Sequence, residues 1–158
     1  FMARAIADVI NGSVTVLQRE RPDILLVLGD RGEMLGGAIA ALHLNIPVGH
    51  IHGGERSGTI DEPVRHAISK LAHIHFAATE QSAERLRRMG ERPGSIHVVG
   101  APGLDGLADQ TLSTRAHLLA EEGVDDDEAP IALLLFHPVV QEGAGAEQTE
   151  AIITALRD

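Results

Sequence analysis

No cysteine occurs among the 158 residues, which excludes disulfides, thiolate nucleophiles and cysteine-ligated zinc and permits a reducing cytoplasm. Tryptophan and tyrosine are also absent, and phenylalanine appears three times, so few side chains are available to stack on nucleobases. Basic charge is short as well. The chain carries 13 Lys and Arg against 23 Asp and Glu, with no basic stripe, which argues against binding a nucleic-acid backbone. No apolar run approaches the roughly 20 residues that span a bilayer, and FMARAIADVI lacks a charged leader followed by an apolar block. The expectation is a soluble, cytoplasmic protein with no membrane partner, about one domain long and able to bury a real core.

What is present is an alternation of helical and strand-like segments, the pattern of βαβ units and a parallel sheet. Residues 2–19 place Ile6, Val9, Ile10, Val14 and Leu17 at helical spacing, with Asn11-Gly12 weakening the middle and Pro22 ending the segment. Ile24–Leu28 is a continuous aliphatic run of buried-strand type, followed by a small-residue helix over Glu33–Leu44. Val48–Ile51, Ile74–Ala78, Ile96–Val99 and Ile131–Phe136 read as further strands. Helices are expected from about Pro63 to Leu71, over Glu80–Met89 with Thr79 as N-cap and Gly90 as stop, over 113–122, and over Ala146–Leu156. The charged stretch 123–130 reads as a linker.

Chemistry-bearing residues gather where strands end, the edge at which open α/β sheets bind ligands. Asp30 follows the first aliphatic run directly; it is either a charge at a helix N-terminus or a catalytic group, and Arg31 either steadies it or pairs with Glu33 on the surface. The segment 50–66, HIHGGERSGTIDEPVRH, is dense in His, Arg, acid and glycine and has no period. Its glycines let backbone N–H groups approach an anion beside Glu55 and Arg56, although neither a P-loop nor a G-x-G-x-x-G is present. Asp61 and Glu62 stand before Pro63, where a carboxylate favours a helix start for reasons unrelated to catalysis. Arg65 and His66 lie one turn on. His50-Ile51-His52 and His73-Ile74-His75 are H-x-H pairs, a pattern that can share a metal on a strand and that also arises by chance. His137 ends the last strand as a turn residue or as a donor facing a ligand. No G-x-S-x-G occurs, and paired carboxylates alone equally suit a glycosidase.

Taken together, GDRGEML, HIHGGERSGTIDEPVRHAISKLAHIHF, ATEQS, VVGAPGLDGL and FHPVVQE resemble the UDP-N-acetylglucosamine 2-epimerase family, most closely its hydrolysing, sialic-acid-pathway branch, over about residues 20–142. The resemblance implies a glycosyltransferase-B-like fold of two Rossmann-like halves, a UDP-sugar between them, and no metal or redox cofactor. It implies elimination of UDP from UDP-GlcNAc and addition of water to give N-acetylmannosamine. By matching position, Asp30, Asp61 and Glu62 are the acid/base candidates, and His52 stands where many relatives carry glutamate, so that Glu55 or His52 itself would supply the missing proton transfer. Arg31, Arg56, Arg65, His66 and His137 are the substrate-binding candidates, His137 facing the diphosphate. Family members are more than twice as long, so the chain reads as a middle fragment.

The expected fold is therefore α/β with a Rossmann-like, mostly parallel sheet of about five strands. Residues 1–122 form the first domain, and 131–158 begin a truncated second lobe unless Ile131–Phe136 completes the first sheet. Uncovered apolar edges predict a homo-oligomer. Two other functions stand beside the epimerase: a hydrolase using the same carboxylates on another glycoside or small ester, and an inactive scaffold.

Overall fold

The computed structural model describes residues 2–110, 112–124, 130–137 and 145–157. Its elements run α1 (Met2–Glu20), β1 (Leu25–Leu28), α2 (Gly32–His43), β2 (Val48–Ile51), α3 (Asp61–Leu71), β3 (Ile74–Ala77), α4 (Glu80–Arg88), β4 (Ile96–Val98), α5 (Arg115–Glu121) and α6 (Gly145–Arg157). The four strands form one sheet in the order β1-β2-β3-β4, every pairing parallel. The α/β class and the parallel sheet expected from the alternation are thus observed, and the first four strands fall within a residue of their expected limits.

Local chemistry explains the boundaries. α1 runs through Asn11-Gly12 unbroken, because its apolar stripe docks on α2 and packing outweighs weak helix propensity. The docking is close: a Cβ at Gly36 would lie 3.0 Å from Val9 Cγ1, and one at Gly32 would lie 2.8 Å from Ile6 Cδ1. Small residues in α2 therefore set the distance between the two helices. α3 begins at Asp61, two residues before the proline that was expected to open it, so Asp61 and Glu62 belong to its first turn. Thr79 caps α4 as expected, its hydroxyl accepting from Ser82 N, and Gly90 follows the C-cap with φ +90°.

Registered residues on neighbouring strands share a face. Val27, His50, His75 and Ile96 form one row, and the helices α2, α3 and α4 pack over that side. Leu17, Val27, Ala38, Ala40, Ala41, Ile46, Val48 and Ile68 make the main core, and Ala77, Ala83 and Leu86 make a smaller one. The opposite face carries Leu26 and Leu28, both more than half exposed, with Phe76 and His97 in register with Leu28 through Ile51.

The chain divides into two units, Phe1–Asp105 and Gly106–Asp158. The second contains α5, capped by Thr114, and α6. The fifth strand expected over Ile131–Phe136 does not form: the segment is irregular, and Leu133 is 95% and Leu135 78% exposed. Aliphatic side chains favour extended backbone, but a strand exists only when a neighbouring strand accepts its ladder. Most of the expected linker, residues 125–129, and the PVVQE part of the last motif lie outside the described residues. No described helix is long and apolar enough to cross a membrane.

Candidate active site

Because all four strands are parallel, the turns after β1 and β2 lie on one edge of the sheet. Asp30 stands two residues beyond β1, His52 directly follows β2, and Arg65 comes from the second turn of α3. The buried Arg65 joins them: its Nη2 donates to Asp30 Oδ2, while its Nη1 lies 3.9 Å from Glu55 Oε2. Glu55 in turn holds His52, with Oε1 2.7 Å from Nδ1. The result is a continuous chain, Asp30–Arg65–Glu55–His52, built from residues up to 35 positions apart.

Two adjacent glycines set the shape of the loop that carries His52 and Glu55. A Cβ on Gly53 would lie 3.0 Å from both His50 Nδ1 and Ser69 Oγ, so this residue rests against α3. Gly54, with φ +79°, rests against α4, where a Cβ would drive into the Ser82 carbonyl, and its own carbonyl accepts from Arg85 Nη1. The backbone is clamped between two helices by close contacts that only glycine permits. His52 itself has φ +64°. The other non-glycine residues with positive φ, Arg21 and Asn45, follow helix ends, where this conformation is ordinary. At His52 it follows a strand and costs on the order of 1 kcal/mol or more, the kind of strain that accompanies functional loops. It also takes His52 out of the alternation with His50, which explains why the H-x-H pair does not present two imidazoles to one ion.

With Nδ1 against a carboxylate oxygen, the His52 imidazole in its neutral form carries its proton on Nδ1 and leaves Nε2 as the bare base. Such an orienting carboxylate is how histidine bases are usually aimed. His52 and Glu55 are both partly exposed, so the base is accessible.

The other sequence candidates make their described contacts outside this chain of four. Glu62 accepts from Gly58 N at 2.9 Å and Ser57 N at 3.1 Å, and these amides, Gly58 first, hold its carboxyl below the ordinary range. Arg56 at 3.6 Å and His66 at 3.9 Å complete that cluster. Asp61 is exposed and accepts from the Thr59 hydroxyl at 3.0 Å; none of its described bonds reaches Asp30. Arg31 points outward, 3.7 Å from Glu33, in the surface pairing that was the alternative to a binding role. His137 is exposed in the second unit. Of the second H-x-H pair, His73 Nδ1 accepts from Val48 N, and the buried His75 bonds Glu91 through Nε2 at 3.2 Å. Among the described residues no group of three or more His, Asp or Glu is placed to hold a metal. Sequence reasoning missed Ser69 and Arg85, and it read His50 only as half of an H-x-H pair. Arg85 carries no local signal, being one charge among several on α4.

Comparison with known proteins identifies the family. The profile of the family described as UDP-N-acetylglucosamine 2-epimerase matches residues 1–158. The chain is 59% identical over 141 residues to a UDP-N,N'-diacetylbacillosamine 2-epimerase (hydrolyzing) from Legionella pneumophila, covering 89% of this chain and 37% of that protein. It is 40% identical over 138 residues to a UDP-N-acetylglucosamine 2-epimerase from Neisseria meningitidis, covering 85% and 36%. Among solved structures, UDP-GlcNAc 2-epimerase from Neisseria meningitidis bound to UDP-GlcNAc superposes with a TM-score of 0.66 at 28% identity, over 76% of this chain and 32% of that one. The chain thus spans about a third of the length of these relatives.

Proposed function

Since the chain belongs to the UDP-N-acetylglucosamine 2-epimerase family, we propose that its sheet edge serves the hydrolysing 2-epimerisation of a UDP-linked 2-acetamido sugar. The observation that carries this reading is the Asp30–Arg65–Glu55–His52 chain. A base removes the proton at C2, the C1–O bond breaks, and the electron pair leaves on the UDP phosphate oxygen. Water then adds across the resulting C1=C2 bond, hydroxyl to C1 and proton to C2 on the opposite face, releasing the 2-epimeric free sugar and UDP.

His52 Nε2 is the base this geometry offers, with Glu55 orienting the ring, and Asp30, fixed by Arg65, is the second proton-transfer group. In this reading His52 and Glu55 each take a different part. Arg56 and His66 supply positive charge for a diphosphate at the neighbouring turn. Arg65 Nε, His66 Nδ1 and His75 Nδ1 are buried without a hydrogen-bond partner among the described residues. The relative at 59% identity is named for diacetylbacillosamine, so that sugar nucleotide is the second substrate to test.

The test is incubation of the chain with UDP-GlcNAc and with UDP-N,N'-diacetylbacillosamine in D2O. The expected result is UDP release, a free 2-epimeric sugar and deuterium at its C2. Asp30→Asn and His52→Gln are each expected to lower turnover by a factor on the order of 10² or more while leaving the fold intact. Release of a sugar with unchanged C2 configuration and no deuterium would replace the proposal by simple glycoside hydrolysis. Absence of product with both substrates would leave the scaffold reading.

A further inference from the structure

The HIHGGE segment contains a second histidine, fully buried, that the proposed chemistry does not use. His50 Nε2 lies 2.7 Å from the Gly29 carbonyl, and its Nδ1 lies 3.0 Å from Ser69 Oγ. Gly29 precedes Asp30. Ser69 stands one helical turn after Arg65, and its Oγ is 3.1 Å from the Arg65 carbonyl. One side chain therefore connects the β1–α2 turn carrying Asp30 to the helix carrying Arg65.

Counting protons fixes the arrangement. A carbonyl only accepts, so the bond to Gly29 requires a proton on His50 Nε2. Burial, ahead of every other influence, lowers the imidazole pKa to about 4, so the ring is neutral and Nδ1 is a bare acceptor. The charged or titratable groups around it are His75 on β3, Arg65 on α3 and Asp30 after β1; His75 and Arg65 add to the lowering and Asp30 opposes it. Ser69 owns one hydroxyl proton and has two acceptors within reach. With Nδ1 bare, that proton goes to the imidazole, because an unpaired buried ring nitrogen is costly, whereas the Arg65 carbonyl already sits in a helix.

We propose that His50 and Ser69 are positioning residues which, through the Gly29 carbonyl on one side and α3 on the other, hold the Asp30 carboxylate and the Arg65 guanidinium in register. The inference gives the site above two further residues and rests on that reading only for its catalytic consequence. It also supplies a reason for Gly53, whose missing Cβ leaves the contact surface of His50 and Ser69 free.

The test uses the whole chain and ¹⁵N NMR, with no need for turnover. The His50 ring is expected to show the Nε2–H tautomer, without protonation between about pH 5.5 and 8. The Arg65 guanidinium protons are expected to exchange slowly, and on the order of tenfold faster in His50→Leu. His50→Gln, whose amide can still donate to the Gly29 carbonyl, is expected to recover part of the protection. Ser69→Ala, a smaller change that keeps the helix, is expected to quicken the exchange and serves if His50→Leu fails to fold. Where turnover is measured, these variants should lower kcat with KM nearly unchanged. An Nδ1–H tautomer, titration near the ordinary histidine range, or Arg65 exchange unaffected in both His50→Leu and Ser69→Ala would overturn the proposal. An inert chain with the expected NMR behaviour would leave the positioning intact and count only against the proposed reaction.

Discussion

Histidine 50 and histidine 52 are two positions apart and chemically opposite. The first is sealed under α3 and held neutral; the second is strained, partly exposed and paired with a carboxylate. For His50 the sign of the pH effect follows from burial. Its pKa falls from 6.5 to about 4 on folding, so as pH drops the unfolded chain takes up the proton first. Stability fully present above about pH 6.5 is lost as pH falls towards 4, by on the order of 3 kcal/mol from this residue. His75, lowered chiefly by burial, acts in the same direction. Urea denaturation should show the midpoint falling across that window, with a shallower fall in His50→Gln. At Gly54 both backbone and space oppose a side chain, so Gly54→Ala should cost about 2 kcal/mol or more by the same measurement.

Each element owes its limits to a different interaction, and the interaction predicts its response to change. Gly12 lies mid-helix in α1 with no atom within 4 Å of where a Cβ would stand. Gly12→Ala should therefore stabilise the chain by about 0.5–1 kcal/mol through helix propensity alone. Thr79 is the converse case, since its hydroxyl accepts from Ser82 N, and Thr79→Ala should cost about 1 kcal/mol. Equilibrium unfolding of the two variants measures both signs. Ile131–Phe136 shows the limit of composition at this scale: its aliphatic run matches that of β1, yet β1 has the β2 ladder and the other segment has none among the described residues.

At the scale of the whole first unit, the most consequential feature is a parallel sheet with α2, α3 and α4 packed over the same face. Parallel sheets are normally buried on both faces, whereas here Leu26 and Leu28 are more than half exposed on the side opposite α2, α3 and α4. Phe76 and Ile24 approach Gly49 on the same side, extending the apolar surface. The homo-oligomer expected from the sequence is retained as a prediction on this basis. At micromolar concentration, light scattering should give a mass above that of one chain, and the double variant Leu26→Lys with Leu28→Lys should return it to the monomer. A monomeric parent chain would show that this face tolerates water.

Period and punctuation in the sequence determined the elements of the first unit, because apolar spacing, Thr79 and Gly90 act within a few residues of themselves. The motif strings likewise determined the family, and parallel strand order placed Asp30 and the HIHGGE loop on one edge. Only the tertiary structure decided which residues on that edge touch. It joined Asp30 to Arg65 and Glu55 to His52, turned Asp61 towards Thr59, and converted His50 from half of a possible metal pair into a buried link. It also withheld a strand from Ile131–Phe136. These outcomes depend on distances across the fold, where a ladder needs a neighbour and a charge needs a partner. Such distances are set by packing many residues away and leave no trace in local spacing.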